Sequence, residues 1–169
     1  MGDGAERSAV GRGRERGALT LVTAAASRTV AVPADVVYRC LSDYREHHPH
    51  ILPPAFSDFE VEQGGVGEGT IVRFSVTAGG RSRSYRMRVT EPEPGRVLEE
   101  ADTQSSLVTT FTVTPAGEGA QVRIETTWTG AGGVGGFFEK RFAPGAMRRI
   151  FEEELVRLDD YARSQAPGG

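Results

Sequence analysis

The run Val122-Arg-Ile-Glu-Thr-Thr-Trp128 alternates apolar and polar residues, passes through Gly130-Ala-Gly-Gly-Val-Gly-Gly136 and leads into one long amphipathic segment. In that segment Met147, Ile150, Phe151, Leu155, Leu158, Tyr161 and Ala162 recur every three or four residues, the stripe of a helix with one buried face. Between them stand Arg148, Arg149, Glu152, Glu153, Glu154, Arg157, Asp159, Asp160 and Arg163, which this reading assigns to the solvated face. A lone terminal helix lying on a curved antiparallel sheet does not fill the sheet's concave side. The space left between the two is a pocket.

Pro144 suits the first turn of this helix, because the N–H it lacks would be unpaired there anyway. The stretch from Val134 to Phe142 is then a short separate helix or the first arm of a kinked one. Gly130-x-Gly132-x-x-Gly135 carries the letters of a dinucleotide fingerprint, but that motif needs a parallel βαβ unit, and no strand follows here to complete one. The glycines read as a hinge that lets a helix leave a sheet edge.

The preceding residues supply the sheet. A strand ending in Thr29-Val-Ala-Val32 stops at Pro33, and Ala34 to Ser42 forms a short helix; a second brief helix starts at Asp43, with Glu46 as a capping-box-like partner and Pro49 as its limit. Phe56 to Glu62 is a strand broken by Gly64-Gly65. Val72, Phe74 and Val76 alternate with polar residues, Gly79-Gly80 signals a tight hairpin, and Tyr85, Met87 and Val89 alternate in turn. Val97 to Ala101 is a weaker strand; Leu107 to Thr114 and Gln121 to Thr129 are joined across Pro115-Ala-Gly-Glu-Gly119. Strands connected by hairpin-length links, with helices segregated, give an α+β layer rather than an alternating α/β fold.

The 169 residues divide into a Gly-, Arg- and Glu-rich leader over 1–18, one domain over 19–165, and a short tail over 166–169. Arg12, Arg14 and Arg16 before Ala18-Leu-Thr-Leu-Val-Thr-Ala-Ala-Ala26 imitate a signal peptide, but the apolar stretch is weak and is needed as the first strand. Cys40 is the only cysteine, so no intramolecular disulfide forms and a cytoplasmic address follows. Its neighbours Val36, Val37, Leu41 and Tyr44 make it a buried small hydrophobe rather than a nucleophile. A formal charge of −3 attracts no polyanion, and no apolar run approaches the roughly 20 residues of a membrane span. Along Arg81-Ser-Arg-Ser-Tyr-Arg-Met-Arg88, alternation splits the arginines between two faces, so no continuous basic patch forms and nucleic acid is not an expected partner.

Alternation also selects a candidate lining. Phe74, Val76, Tyr85, Met87, Thr109, Phe111, Thr126 and Trp128 face the helix, which offers Met147 and Phe151. Tyr85, Thr109, Thr126 and Trp128 bring polar groups to an apolar wall, where each needs a neighbour, a water or a ligand. All three histidines, His47, His48 and His50, lie in Arg45-Glu-His-His-Pro-His-Ile-Leu-Pro-Pro54. His48 and His50 with Asp43, Glu46 or Asp58 match no familiar zinc spacing, so no metal or other cofactor is expected. For proton transfer the candidates are His48, His50, Tyr85 and Arg83. No G-x-S-x-G elbow is present, and Glu99-Glu100 with Glu152-Glu153-Glu154 does not make a glycosidase pair, because adjacent strand residues diverge and the helix acids lie on its wet side.

Val32-Pro-Ala-Asp-Val-Val-Tyr-Arg-Cys-Leu-Ser-Asp-Tyr44, Gly67-Glu-Gly-Thr-Ile-Val-Arg-Phe74 and the closing Trp128 with the Phe-rich approach to the last helix carry a resemblance. From about Ala25 to Arg163 the chain resembles the START-like, or SRPBCC helix-grip, superfamily, which includes polyketide cyclases and dehydrases, plant hydrophobic-ligand carriers and coenzyme-Q-binding proteins. The resemblance implies about seven strands gripping the last helix around an apolar cavity, with the histidine loop near one mouth. Three functions stay open, since fold does not fix chemistry. They are a carrier or sensor for a lipid, isoprenoid or aromatic polyketide-like molecule, a polyketide aromatase/cyclase or dehydrase working in the same cavity, and a protein-interaction module. The expected partner is a hydrophobic small molecule, bound by a monomer or homodimer without integral membrane association.

Overall fold

The computed structural model describes residues 20–78, 80–130 and 144–166. Seven strands form one antiparallel sheet: β1 (Thr20–Val30), β2 (Phe56–Gln63), β3 (Ile71–Ala78), β4 (Arg81–Glu93), β5 (Val97–Asp102), β6 (Val108–Ala116) and β7 (Gly119–Gly130), in the spatial order β1-β7-β6-β5-β4-β3-β2. From β2 to β7 the strands meander, each pairing with the next. β1 closes the other edge by pairing with β7 along its whole length, Thr20 opposite Gly130 and Val30 opposite Ala120.

Two described α-helices complete the frame, α1 (Ala34–Ser42) between β1 and β2, and α2 (Pro144–Gln165) at the C-terminus. α1 follows Pro33 and buries Val36, Val37, Tyr38, Cys40 and Leu41. The second brief helix expected from Asp43 is roughly matched: turns after Asp43 lead into a short 3-10 helix over His48–His50. Asp43 Oδ1 accepts hydrogen bonds from the backbone N–H groups of Arg45 and Glu46, a side-chain turn that competes with helix continuation. The expected seven-stranded helix-grip arrangement is present, with Pro144 opening α2. The β3–β4 hairpin pairs Ala78 with Arg81. Its Gly79, the helical reading of Val134 to Phe142 and the glycine hinge beyond Gly130 lie outside the described residues, as do the leader and the last three residues.

The core lies on the concave face of the sheet. Val72, Phe74, Met87, Leu98, Phe111, Val113, Val122 and Ile124 point inward from the strands to meet Phe151, Leu155, Leu158 and Ala162 of α2. Burying side chains of this size contributes about 1.5–3 kcal/mol each, which outweighs any intrinsic helix propensity in holding α2 on the sheet. One close approach needs a glycine: a Cβ on Gly119, at the start of β7, would collide with the carbonyl oxygen of Val30.

Candidate functional site

Between β3–β6 and α2 lies a cavity of about 530 Å³, counting the part that opens to solvent. Phe74 and Val76 of β3, Tyr85 and Met87 of β4, Thr109 and Phe111 of β6, and Met147 and Phe151 of α2 border it, together with Leu52, Phe56 and Leu107. These eight wall residues from β3, β4, β6 and α2 are all among the sequence-based candidates. Thr126 and Trp128 do not border it. Thr126 lies behind the wall, its hydroxyl 2.7 Å from that of Thr109, so the two threonines satisfy each other. Trp128 is buried with its indole Nε1 lacking a hydrogen-bond partner among the described residues.

The polar side of the cavity differs from the sequence reading. Three ionisable side chains border it besides Tyr85: His48, Glu100 and Glu154, each almost wholly buried. Glu100 faces inward because β5 alternates: Leu98, Glu100 and Asp102 are buried, whereas Val97, Glu99 and Ala101 are half-buried. Glu154, assigned above to the wet side of the helix, is instead buried. Phe151, Glu154, Leu155 and Leu158 follow the i, i+3, i+4, i+7 pattern of one helix face, so position overrides polarity. That spacing was present in the sequence and was the signal that identifies Glu154.

Tyr44, fully buried, donates its hydroxyl to Glu100 Oε1 at 2.7 Å. The His48 ring stacks on Tyr44 with centroids 4.5 Å apart, and its Nε2 lies 3.9 Å from the same Glu100 oxygen. On the opposite side of that ring, Nδ1 is 2.7 Å from the Leu41 carbonyl oxygen. A carbonyl only accepts, so Nδ1 carries the proton and Nε2 of the neutral ring presents a lone pair toward Glu100. Burial holds His48 neutral, lowering its pKa to about 4.

Burial acts on the carboxyls in the opposite direction. It raises Glu100 to about 7, against the opposing effect of the Tyr44 hydrogen bond. Glu154 is raised well above the ordinary carboxylate range by burial and by the nearby charge of Glu100. Two carboxyl groups sharing one apolar space do not both ionise readily. Near neutral pH the pair therefore holds a proton it can give up and a charge that can take one.

The other candidates lie elsewhere. His50 is exposed and stacks on Tyr161 at 4.9 Å, while His47 Nδ1 is 3.0 Å from the Tyr161 hydroxyl, so both brace the loop against α2 rather than border the cavity. The Arg83 guanidinium lies 5.0 Å over the Tyr85 ring, 3.8 Å from the Asp102 carboxylate, and does not border the cavity. Tyr85 does, but burial raises its hydroxyl above the usual phenol range, leaving a hydrogen-bonding group rather than a ready acid. Burial also raises the Cys40 thiol, to about 11, which keeps it protonated. Among the described residues no group of three or more His, Cys, Asp or Glu is arranged to hold a metal, and no helix is long and apolar enough to cross a membrane.

Comparison with known proteins places this geometry. A sequence profile of the polyketide cyclase / dehydrase and lipid transport family matches residues 22–163. The solution structure of the KanY protein is similar over 85% of this chain and 99% of its own, at 38% identity and a TM-score of 0.76. The Zhui aromatase/cyclase of Streptomyces sp. R1128 is 21% identical over 86% of this chain and 96% of its own, with a TM-score of 0.68. Norcoclaurine synthase of Thalictrum flavum, solved with dopamine and hydroxybenzaldehyde, is 18% identical over 98% of this chain and 100% of its own, with a TM-score of 0.69. The last two likenesses are likenesses of fold. No match was found among curated protein sequences. With the profile covering most of its length, the chain belongs to the polyketide cyclase / dehydrase and lipid transport family of the START-like, SRPBCC superfamily.

Proposed function

We propose that this protein binds a largely apolar, aromatic or polyketide-like molecule in the cavity and moves a proton on it, in a cyclisation or dehydration of the kind the family's name describes. The observation that carries this reading is Glu100, a carboxyl that faces an apolar cavity with one oxygen held by Tyr44 and a pKa raised to about 7. A group poised there gives or takes a proton at neutral pH with little penalty either way. In an aldol-type ring closure Glu100 would remove the proton from the carbon between two carbonyls. Glu154, held protonated, would donate to the oxygen that becomes the hydroxyl or leaves as water. The Tyr44 hydroxyl fixes the Glu100 carboxyl in place, and the His48 ring stacked on Tyr44 packs against that phenol.

The apolar walls favour a second reading, a carrier or sensor that holds the same ligand by burial and leaves it unchanged. A panel of aryl β-hydroxyketones and short poly-β-ketones, followed by absorbance for conjugated product and by mass spectrometry, separates the two. For the enzyme, wild-type protein forms product, and Glu100→Gln lowers the rate by about 100-fold or more while binding of an unreactive analogue changes little. Binding with every ligand recovered unchanged would support the carrier and overturn the enzyme. Absence of binding to any apolar member of the panel would overturn both.

A further inference from the structure

Glu154 is 2% exposed, borders the cavity, and has no hydrogen-bond partner among the described residues. Glu100, from the sheet side, has Oε1 occupied by Tyr44, and Oε2 makes no hydrogen bond among the described residues. Neither carboxyl has a cationic partner there: the nearest titratable ring, His48, is 3.9 Å from Glu100 and uses its Nδ1 proton on Leu41. Arg83 is engaged at Asp102 and Tyr85, outside the cavity. Both carboxyls turn oxygens to the cavity that no described side chain engages, and two charges of one sign in the same apolar space repel. The rings of Phe56, Phe74, Tyr85, Phe111 and Phe151 surround that space. Aromatic faces and carboxylates share one preference, a cation.

We infer that the ligand of this cavity carries one basic nitrogen, held as a cation between Glu100 of β5 and Glu154 of α2, with the rest of the molecule an apolar or aromatic skeleton against the phenylalanine walls. A cation is attracted by both carboxylates, supplies N–H donors to the two unpartnered sets of oxygens, and lets both acids ionise together. An anion would be repelled. The inference rests on the carrier reading of this cavity and names what enters it, because a cation that ionises both acids leaves no protonated Glu154 to donate.

The test uses two probes of one shape, 2-(2-naphthyl)ethylamine and 2-(2-naphthyl)ethanol, titrated into the full chain by calorimetry at neutral pH. The amine is expected to bind tighter than the alcohol by about tenfold or more, the size of effect close charge pairs give. Glu154→Gln and Glu100→Gln should each remove most of that advantage. Equal or tighter binding of the alcohol would overturn the inference and leave the cavity reading standing; so would an amine advantage that survives both substitutions. Failure of both probes to bind would overturn the cavity reading along with it. Far-ultraviolet circular dichroism checks that the variants fold, and the amine-to-alcohol ratio in the wild-type protein decides the matter if one does not.

Discussion

Glu100 and His48 lie 3.9 Å apart on the cavity wall and are shifted by the same cause in opposite directions. Burial raises the Glu100 pKa from 4.5 to about 7, so the folded protein binds this proton more tightly than the unfolded chain does. Stability from that group is full below about pH 4.5 and is lost as pH rises through 7, by roughly 3 kcal/mol. His48 is lowered from 6.5 to about 4, so its contribution is full above about pH 6.5 and is lost as pH falls toward 4, again by roughly 3 kcal/mol. The two slopes offset each other where their windows overlap. Glu100→Gln keeps an acceptor for Tyr44 and removes the titration. The variant should match the wild type below pH 4.5 and exceed it by up to about 3 kcal/mol above pH 7, read from urea unfolding across pH. A constant difference at every pH would show that Glu100 is not buried as a titrating group. Charge and polarity did not make this residue legible in the sequence: Glu99 and Glu100 look alike there, and only the phase of β5 separates them.

At the scale of elements, α2 is fixed to the sheet by its apolar stripe and by one charged clamp. Asp159, 2% exposed, accepts hydrogen bonds from Arg28 of β1 at 3.1 Å and from Arg163 one turn on at 2.8 Å. Those bonds, Arg163 first, hold its carboxyl below the usual range, so the clamp is present at neutral pH and weakens as acid protonates it. Asp159→Ala should lower stability by about 1–3 kcal/mol at pH 7, the cost of removing hydrogen bonds to a charged group, and by less in acid. A loss independent of pH would assign the effect to packing instead. Asp159 and Glu154 were both read as solvated because they are acidic. Each sits on the Phe151, Leu155, Leu158, Ala162 stripe, where helical phase decides burial. One is neutralised by arginines and the other is not, which is what makes Glu154 the exceptional acid of the helix. The histidine segment shows the same limit from the other direction: three residues close in sequence divide between the cavity wall and a contact with Tyr161 because a 3-10 turn rotates successive side chains apart.

For the molecule as a whole, sheet and helix form one core with a cavity left between them. Leu158 of α2 is wholly buried in that core and does not border the cavity. Leu158→Ala should therefore cost about 2–5 kcal/mol of stability, measured by urea unfolding, with little change in ligand affinity. A large loss of affinity without loss of stability would mean that the cavity reaches further along α2. The order of elements, the antiparallel sheet, the terminal helix and most of the apolar wall could be read from the residues alone. Period two in a strand and period 3.6 in a helix are local properties, and apolar side chains must be buried somewhere. Which polar groups meet inside could not be read the same way. Glu100 and Glu154 are 54 positions apart, His48 is further still from Glu154, and nothing local couples them. Their meeting follows from the curvature of the sheet and the line along which α2 crosses it, and the shifted protonation of all three follows from the water that this packing excludes.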